Sequence, residues 1–124
     1  MLLHCSSLSI LIVLIAAPEA ITVSSDEGSA RTKQQESMGI YKLETQQNNG
    51  QPVWGNTFGK KLFFTSASVW VVASEITSWG TGSNLRKAYG DELFNSNWGY
   101  LDSDAETSHG SSSYPIDSAL TVTG

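Results

Sequence analysis

The feature that most constrains the fold is the dipeptide Asn49-Gly50, which lies between two runs of strand-forming residues. Asn-Gly is a strong short-range signal of a two-residue β-hairpin, because both residues tolerate the positive φ angles of a type I′ turn. The run before the turn, 40–45, contains β-forming residues in rough alternation of apolar and polar side chains, and the run after it begins with Pro52-Val53-Trp54. Proline has no N–H to donate, which places it at a strand start or a sheet edge. The sequence therefore predicts an antiparallel hairpin here.

Further apolar runs extend the hairpin into a meander of about four strands. Residues 60–64 predict a third strand and residues 69–73 a fourth. The fourth is apolar on both faces, which places it centrally in the sheet. Farther along the chain, 98–101 predicts a fifth strand, and 119–123 alternates cleanly and predicts a last strand that closes the sheet.

Polar segments separate the later strands. Residues 78–83 and 102–113 predict loops, whereas 85–89 and 91–94 fit either a strand or a single helical turn. No stretch predicts a helix of more than about two turns. The predicted fold class is therefore mostly β: a small single-domain antiparallel sheet or meander, with little helix apart from a signal peptide.

The N-terminal residues differ from the rest of the chain. Leu8–Ala17 is a nearly uninterrupted apolar run, too short to span a membrane, and it fits the hydrophobic region of a secretory signal peptide. The alternative is a buried N-terminal helix. Small residues at four positions suit the residue before the cleaved bond: Ala17, Ala20, Ser24 and Ser25. Val23 and Ser25 suit the −3 and −1 positions best, so cleavage is expected near Ser25.

This interpretation divides the chain into three parts. We expect a signal peptide over 1–25, a flexible leader over 26–38, and a single β-rich domain over 39–124. The protein is then secreted and extracellular, with no membrane span after signal cleavage.

Cysteine and charge content exclude several classes of protein. The single cysteine, Cys5, lies in the predicted signal peptide, so the mature domain is cysteine-free, with no disulfide and no cysteine zinc site. The formal net charge is −5, and seven Lys and Arg residues are too few for a dense basic patch. Nucleic acid is therefore not expected as a partner. The acidic balance suits a soluble protein, and we expect a monomer.

The order of residues over 41–72 resembles a short extracellular β-module that occurs, often in tandem, in large secreted proteins of invertebrates and protists. Its pattern is an aromatic residue, N-G-x-P-V-Y/W, L-F/Y-F/Y and W-x-V/I. The residues that carry it here are Tyr41, Asn49-Gly50, Pro52-Val53-Trp54, Leu62-Phe63-Phe64 and Trp70-Val71-Val72, with Trp98-Gly99-Tyr100 and Leu120-Thr121-Val122 resembling its tail. Trp54 stands where the module usually has Tyr, and Phe63-Phe64 where Tyr pairs are common. The resemblance implies a non-catalytic extracellular building block and carries over no site residue.

Aromatic side chains supply the candidate contact residues. Exposed Trp and Tyr rings can contact a protein or stack on a sugar ring, and the candidates are Trp79, Trp98, Tyr100 and Trp54. In a domain without disulfides, the same rings are also the obvious source of buried apolar area. Trp79 is the strongest candidate, because it lies in a Gly- and Ser-rich loop.

The acidic loop supplies one candidate metal site. Asp102, Asp104 and Glu106 place carboxylates at alternate positions. Such carboxylates can supply part of the roughly six to eight oxygens that calcium takes. The alternative is a solvated acidic loop without metal, and no other cofactor is expected. His109 lies among serines and aspartates, but no G-x-S-x-G motif holds a nucleophile on a rigid turn, so we expect no enzymatic activity.

The expected function is a secreted extracellular interaction or matrix module without catalytic activity. Its expected partner is an extracellular protein or a glycan, contacted by the loops 77–83 and 102–113. A carbohydrate-binding, lectin-like protein is the alternative.

Overall fold

The computed structural model describes residues 17–80, 82–87, 92–94, 97–102 and 114–124. Eight β-strands and very little helix make up this part of the chain. In chain order the elements are β1 (Ala20–Ser25), α1 (Ser29–Lys33), a 3-10 turn (Gln35–Ser37), β2 (Gly39–Asn48), β3 (Gln51–Gly55), β4 (Lys61–Phe64), β5 (Trp70–Ala73), β6 (Leu85–Lys87), β7 (Trp98–Tyr100) and β8 (Leu120–Thr123). The mostly β fold class is confirmed.

The strands form one antiparallel sheet in the order β7-β6-β5-β4-β3-β2-β1-β8. Strands β2 to β7 follow one another as a meander, whereas β8 returns from the end of the chain to lie beside β1. The sheet curls until its two ends nearly meet. Gly99 of β7 forms a bridge with Ile116, and the Tyr100 N–H donates to the Pro115 carbonyl oxygen at 3.2 Å. The sheet is therefore nearly closed and has an inner and an outer face.

The hairpin between β2 and β3 confirms the Asn-Gly prediction. Asn48 pairs with Gln51, and the two residues between them have φ angles of 51° at Asn49 and 76° at Gly50. Positive φ at both central positions is what a type I′ turn requires. Pro52 is the second residue of β3, close to the strand start that its missing N–H demands.

The core lies on the inner face. Side chains alternate along each strand, so one apolar set points inward from every strand of the sheet. The Trp70 ring lies at the centre of an aromatic group, with centroids 6.0 Å from Trp54 and 5.1 Å from Phe64. Full burial of a large apolar side chain contributes about 1.5–3 kcal/mol. The inner cluster includes Ile21, Val23, Tyr41, Trp54, Leu62, Trp70, Val72, Leu85, Trp98, Tyr100, Leu120 and Val122.

A second, smaller cluster, the outer apolar cluster, lies on the opposite face of the central strands. Val53, Phe63, Val71 and Ala73 are buried there, and Ile76, from the segment after β5, packs against them. Strand β5 is therefore buried along its whole length and has neighbours on both sides. This agrees with the central position predicted for 69–73.

The N-terminal part differs from the sequence interpretation. Residues 20–25, expected within the signal peptide, form β1, which pairs with β2 on one side and β8 on the other. The expected flexible leader, 26–38, contains α1 and the 3-10 turn. Buried Ile21 and Val23 alternate with polar residues, and this is a strand pattern. Because this short pattern closely follows the apolar run Leu8–Ala17, it was assigned to the signal peptide.

The segment between β1 and β2 packs against the sheet. Ala30 and Ser37 are buried, and the Tyr41 hydroxyl donates to the Ser37 carbonyl oxygen at 2.7 Å. Burial raises the pKa of that hydroxyl. The Gln34 side-chain amide donates to the Leu101 carbonyl oxygen at 2.9 Å, just beyond β7. The folded unit therefore includes residues upstream of 39.

A buried carboxylate, Asp117, joins three separate elements. Its Oδ2 accepts hydrogen bonds from the Ser25 hydroxyl at the end of β1 (2.5 Å) and from the Ala30 N–H in α1 (3.0 Å). Its Oδ1 accepts from the Ala119 N–H just before β8, at 2.9 Å. Gly28 leaves the necessary room, because a Cβ there would lie 2.5 Å from Asp117 Oδ1.

These hydrogen bonds govern the ionisation of Asp117. Burial by itself would raise the pKa of the carboxyl, but the bonds from Ser25, Ala30 and Ala119 outweigh burial and lower the pKa below its usual value. A carboxyl whose pKa is lowered on folding stabilises the fold above its unfolded-state pKa. That contribution is lost as the pH falls toward the folded-state value.

We therefore expect Asp117→Asn to lower the free energy of unfolding by about 2 kcal/mol at pH 7, because hydrogen bonds to a buried charged group are lost. The difference between the variant and the wild type should shrink as the pH falls below about 4, because the unfolded-state carboxyl takes up a proton there while the folded-state carboxyl stays ionised to lower pH. Urea unfolding at several pH values measures both effects. Asp26→Asn, at an exposed carboxyl in the turn between β1 and α1, is the control. A difference that does not depend on pH would contradict this role.

Candidate partner-contact site

The segment after β5 carries the most exposed aromatic side chain of the described residues. Ile76 anchors this segment on the outer apolar cluster. The Ser66 N–H and the Ser66 hydroxyl both donate to the Ser78 carbonyl oxygen, each at 2.7 Å. The Gly80 N–H donates to Thr77 Oγ1 at 2.9 Å. Trp79 therefore lies between two hydrogen-bonded residues, on a segment attached to the turn between β4 and β5.

Close packing of Gly80 against Thr65 also holds this segment in place. Gly80 has a φ of +70°, and a Cβ there would lie 2.8 Å from Thr65 Cγ2. Only glycine combines that backbone conformation with so close an approach. On the other side, the Asn48 amide donates to the Phe64 carbonyl oxygen at 2.9 Å and to the Thr77 carbonyl oxygen at 3.4 Å. The segment is thus fastened to both neighbouring turns.

The indole of Trp79 points away from this framework. Trp79 is 66% exposed, the largest exposed fraction of any large apolar side chain in the described part of the chain. The next is Phe58 at 61%, in the turn between β3 and β4, where Asn56 Oδ1 accepts hydrogen bonds from the Phe58 and Lys60 N–H groups. Sequence analysis did not identify Phe58. The available signal was its position within the Asn-Thr-Phe-Gly turn, where an aromatic residue has little core to enter.

The other three candidate contact residues lie in the core, which corrects the sequence prediction. Trp54 is 2% exposed, Trp98 is fully buried and Tyr100 is 8% exposed. The Trp54 indole N–H donates to the Pro18 carbonyl oxygen at 2.8 Å, so its polar edge is used within the domain. Successive side chains along a strand point to opposite faces of the sheet, and these three rings lie at positions that face inward. They offer no surface to a partner in this conformation.

A cavity of about 240 Å³ borders Trp54 and Trp70 at the end of the sheet where β1 begins. Its lining is mainly apolar and includes Pro18, Pro52 and Phe94. Phe94 is half exposed there, and its ring lies close to Gly124. No charged side chain lines the cavity among the residues described. It is suited to apolar groups rather than to ions.

The predicted calcium site is only partly within the described residues. Asp102 Oδ1 lies 3.8 Å from Lys33 Nζ, next to α1, whereas Asp104 and Glu106 lie outside the described residues. No group of three or more His, Cys, Asp or Glu side chains in the described residues could hold a metal ion. The calcium site therefore stays a prediction. His109 also lies outside the described residues.

Two buried charged residues were missed by sequence analysis: Asp117, described above, and Lys87. Lys87 of β6 is 2% exposed, and it points inward because it lies two residues after buried Leu85. Burial lowers the pKa of its ammonium group, while the negative charge of Glu92 acts in the opposite direction. The inward direction of the Lys87 side chain follows from strand alternation once β6 is known to be a strand. From the sequence, this segment fitted either a strand or a helical turn.

The comparisons with known proteins do not assign a family. No family model, no curated protein and no solved structure matches this chain. Among the helices in the described residues, none is long and apolar enough to cross a membrane.

The unequal burial of the four tryptophans leads to a direct test. Acrylamide should quench the Trp79 fluorescence readily and leave that of Trp54, Trp70 and Trp98 largely protected. In Trp79→Phe the readily quenched fraction should disappear, and the emission maximum should shift to shorter wavelength. Stern–Volmer analysis of both proteins measures the accessible fraction. Substantial accessible emission remaining in Trp79→Phe would contradict the described burial.

Proposed function

We propose that this chain is a secreted, extracellular interaction module that contacts its partner through Trp79 and does not catalyse a reaction. The single observation that carries the proposal is the 66% exposure of Trp79 on a segment fastened by hydrogen bonds and close packing. Its partner is an extracellular protein or glycan.

An exposed indole on a fastened segment has the properties of a binding anchor. Tryptophan is enriched among the residues whose truncation costs most at interfaces, because a large flat ring buries much apolar area. A backbone already held in place loses little conformational freedom on binding, which leaves more of the contact energy for affinity. The hydrogen bonds to Ser78 and Thr77 supply that restraint here.

The secreted location is supported by the sequence. Leu8–Ala17 has the length and apolar character of a signal-peptide core. The resemblance of 41–72 to an extracellular β-module supports the same location and a non-catalytic role. The chain contains a single cysteine, so the folded domain depends on its apolar core rather than on disulfides.

Carbohydrate is the second candidate class of ligand. The observation that favours it is the hydroxyl-rich surroundings of the indole: Ser66, Thr77 and Ser78 all lie on the hydrogen-bonded framework around Trp79. An aromatic face flanked by hydroxyl groups can stack on a sugar ring and bind its hydroxyls.

The interaction proposal is tested by comparing two exposed aromatic residues. We expect Trp79→Ala to weaken binding to an immobilised panel of extracellular-matrix proteins and glycans at least tenfold, with little change in thermal stability. Phe58→Ala is the matched control, because Phe58 is almost as exposed but lies in a different turn. Surface plasmon resonance measures both variants. Equal binding by wild type and Trp79→Ala, or an equal loss in both variants, would refute the assignment of Trp79.

Titration with glycans separates the two ligand classes. A sugar that stacks on the indole should change the fluorescence of the wild type in a saturable way, and Trp79→Phe should lose that change. Binding of a matrix protein in the absence of any sugar response would exclude the carbohydrate alternative and leave the protein-contact proposal standing.

A further inference from the structure

Strand β1 lies inside the sheet, and this restricts where a signal peptide can be removed. Thr22 and Val23 pair with β2 on one side and with β8 on the other. Ile21 and Val23 are buried in the inner cluster. Cleavage after Ser25 would remove the strand that separates β2 from β8. Backbone groups on both of those strands would lose their partners, and the core would lose two apolar side chains.

The residues just before β1 also belong to the fold. The Trp54 indole N–H, which is buried, donates to the Pro18 carbonyl oxygen at 2.8 Å. The Leu43 N–H donates to the Glu19 carbonyl oxygen at 2.8 Å. Cleavage after Ala20 would remove both acceptors and leave the Trp54 N–H without a partner inside the protein, which is costly for a buried donor. The fold therefore needs the chain from Pro18 onward.

At the end of the apolar run Leu8–Ala17, two peptide bonds have a small residue on their N-terminal side: those after Ala16 and after Ala17. The bond after Ala17 leads into Pro18, which has no N–H and has a fixed φ. A protease that binds its substrate as an extended strand therefore meets an unfavourable residue there. Ala17 is itself half-buried and packs against the inner cluster. The bond after Ala16 has none of these difficulties.

We propose that the secretory signal is removed by hydrolysis of the peptide bond between Ala16 and Ala17. Water adds across this bond, and it releases the carboxylate of Ala16 and the α-amino group of Ala17. The mature chain is then 17–124 and keeps β1 and both of the carbonyl acceptors before it. This inference rests on the proposed secretion of the chain. It replaces the cleavage site near Ser25 that the sequence pattern favoured.

The test is the N-terminus of the secreted protein. The full chain with a C-terminal affinity tag is expressed in a secretory cell line, recovered from the medium, and examined by intact mass and N-terminal sequencing. We expect a single species that begins Ala-Pro-Glu-Ala-Ile. A secreted protein that begins at Ile21 or Asp26 would overturn the cleavage proposal alone. Retention of the uncleaved chain in cells would overturn both this proposal and secretion.

Two matched variants locate the cleaved bond independently. Ala16→Leu replaces the small residue before the proposed bond and should abolish the species that begins at Ala17. Ala20→Leu makes the same change before a competing bond, at an exposed position, and should leave processing unchanged. The reverse pattern, in which only Ala20→Leu blocks processing, would overturn the assignment to Ala16.

A folding comparison tests the physical reason. Chains 17–124 and 26–124 are produced without a signal peptide and melted under the same conditions. We expect a cooperative transition for 17–124 and either none or a much lower midpoint for 26–124. Equal midpoints would show that β1 is dispensable and would overturn the structural basis of the proposal.

Discussion

The fold depends on the pairing of β1 with β2 on one side and with β8 on the other. The contact with β8 connects the beginning of the described chain to its end, whereas every other strand pair, β1 with β2 included, joins neighbours in sequence. A meander without β1 would be an open sheet, with β2 as a long unpaired edge and an inner face open to water. With β1 in place, the sheet curls until Gly99 and Ile116 meet. Asp117 adds a buried, hydrogen-bonded carboxylate at the same junction, where the end of β1, α1 and the start of β8 come together.

A domain of this size without disulfides must obtain its stability from burial, and the aromatic residues are used accordingly. Three of the four tryptophans lie in the inner cluster. The exception is Trp79, which lies on the segment that covers the outer apolar cluster. Its ring points from that segment into solvent. The contrast gives the proposed contact site its physical basis. The Trp79 ring is available to a partner outside the chain, whereas the rings of the other three tryptophans are used within the core.

Much of the local structure could be predicted from the sequence. The turn at Asn49-Gly50, the central burial of β5 and the strands at Trp98–Tyr100 and Leu120–Thr123 follow from turn chemistry and from two-residue alternation. Among the candidate contact residues, only Trp79 was placed correctly at the surface. Trp54, Trp98 and Tyr100 have the same chemistry, but the face of the sheet on which each ring lies depends on strand register and curvature.

The sequence alone is enough to specify a mostly β, antiparallel domain, because alternation and turn residues act over a few neighbouring positions. It also determined that burial, rather than disulfides, must stabilise the domain. The alternation of Ile21 and Val23 with polar residues is present in the sequence, but it does not show that 20–25 belongs to the folded domain. That depends on the pairing of β1 with β2 and β8, whose residues lie about 20 and 100 positions away along the chain, and contacts of that separation leave no local pattern. The same long-range closure placed three aromatic rings in the core and left Trp79 outside it.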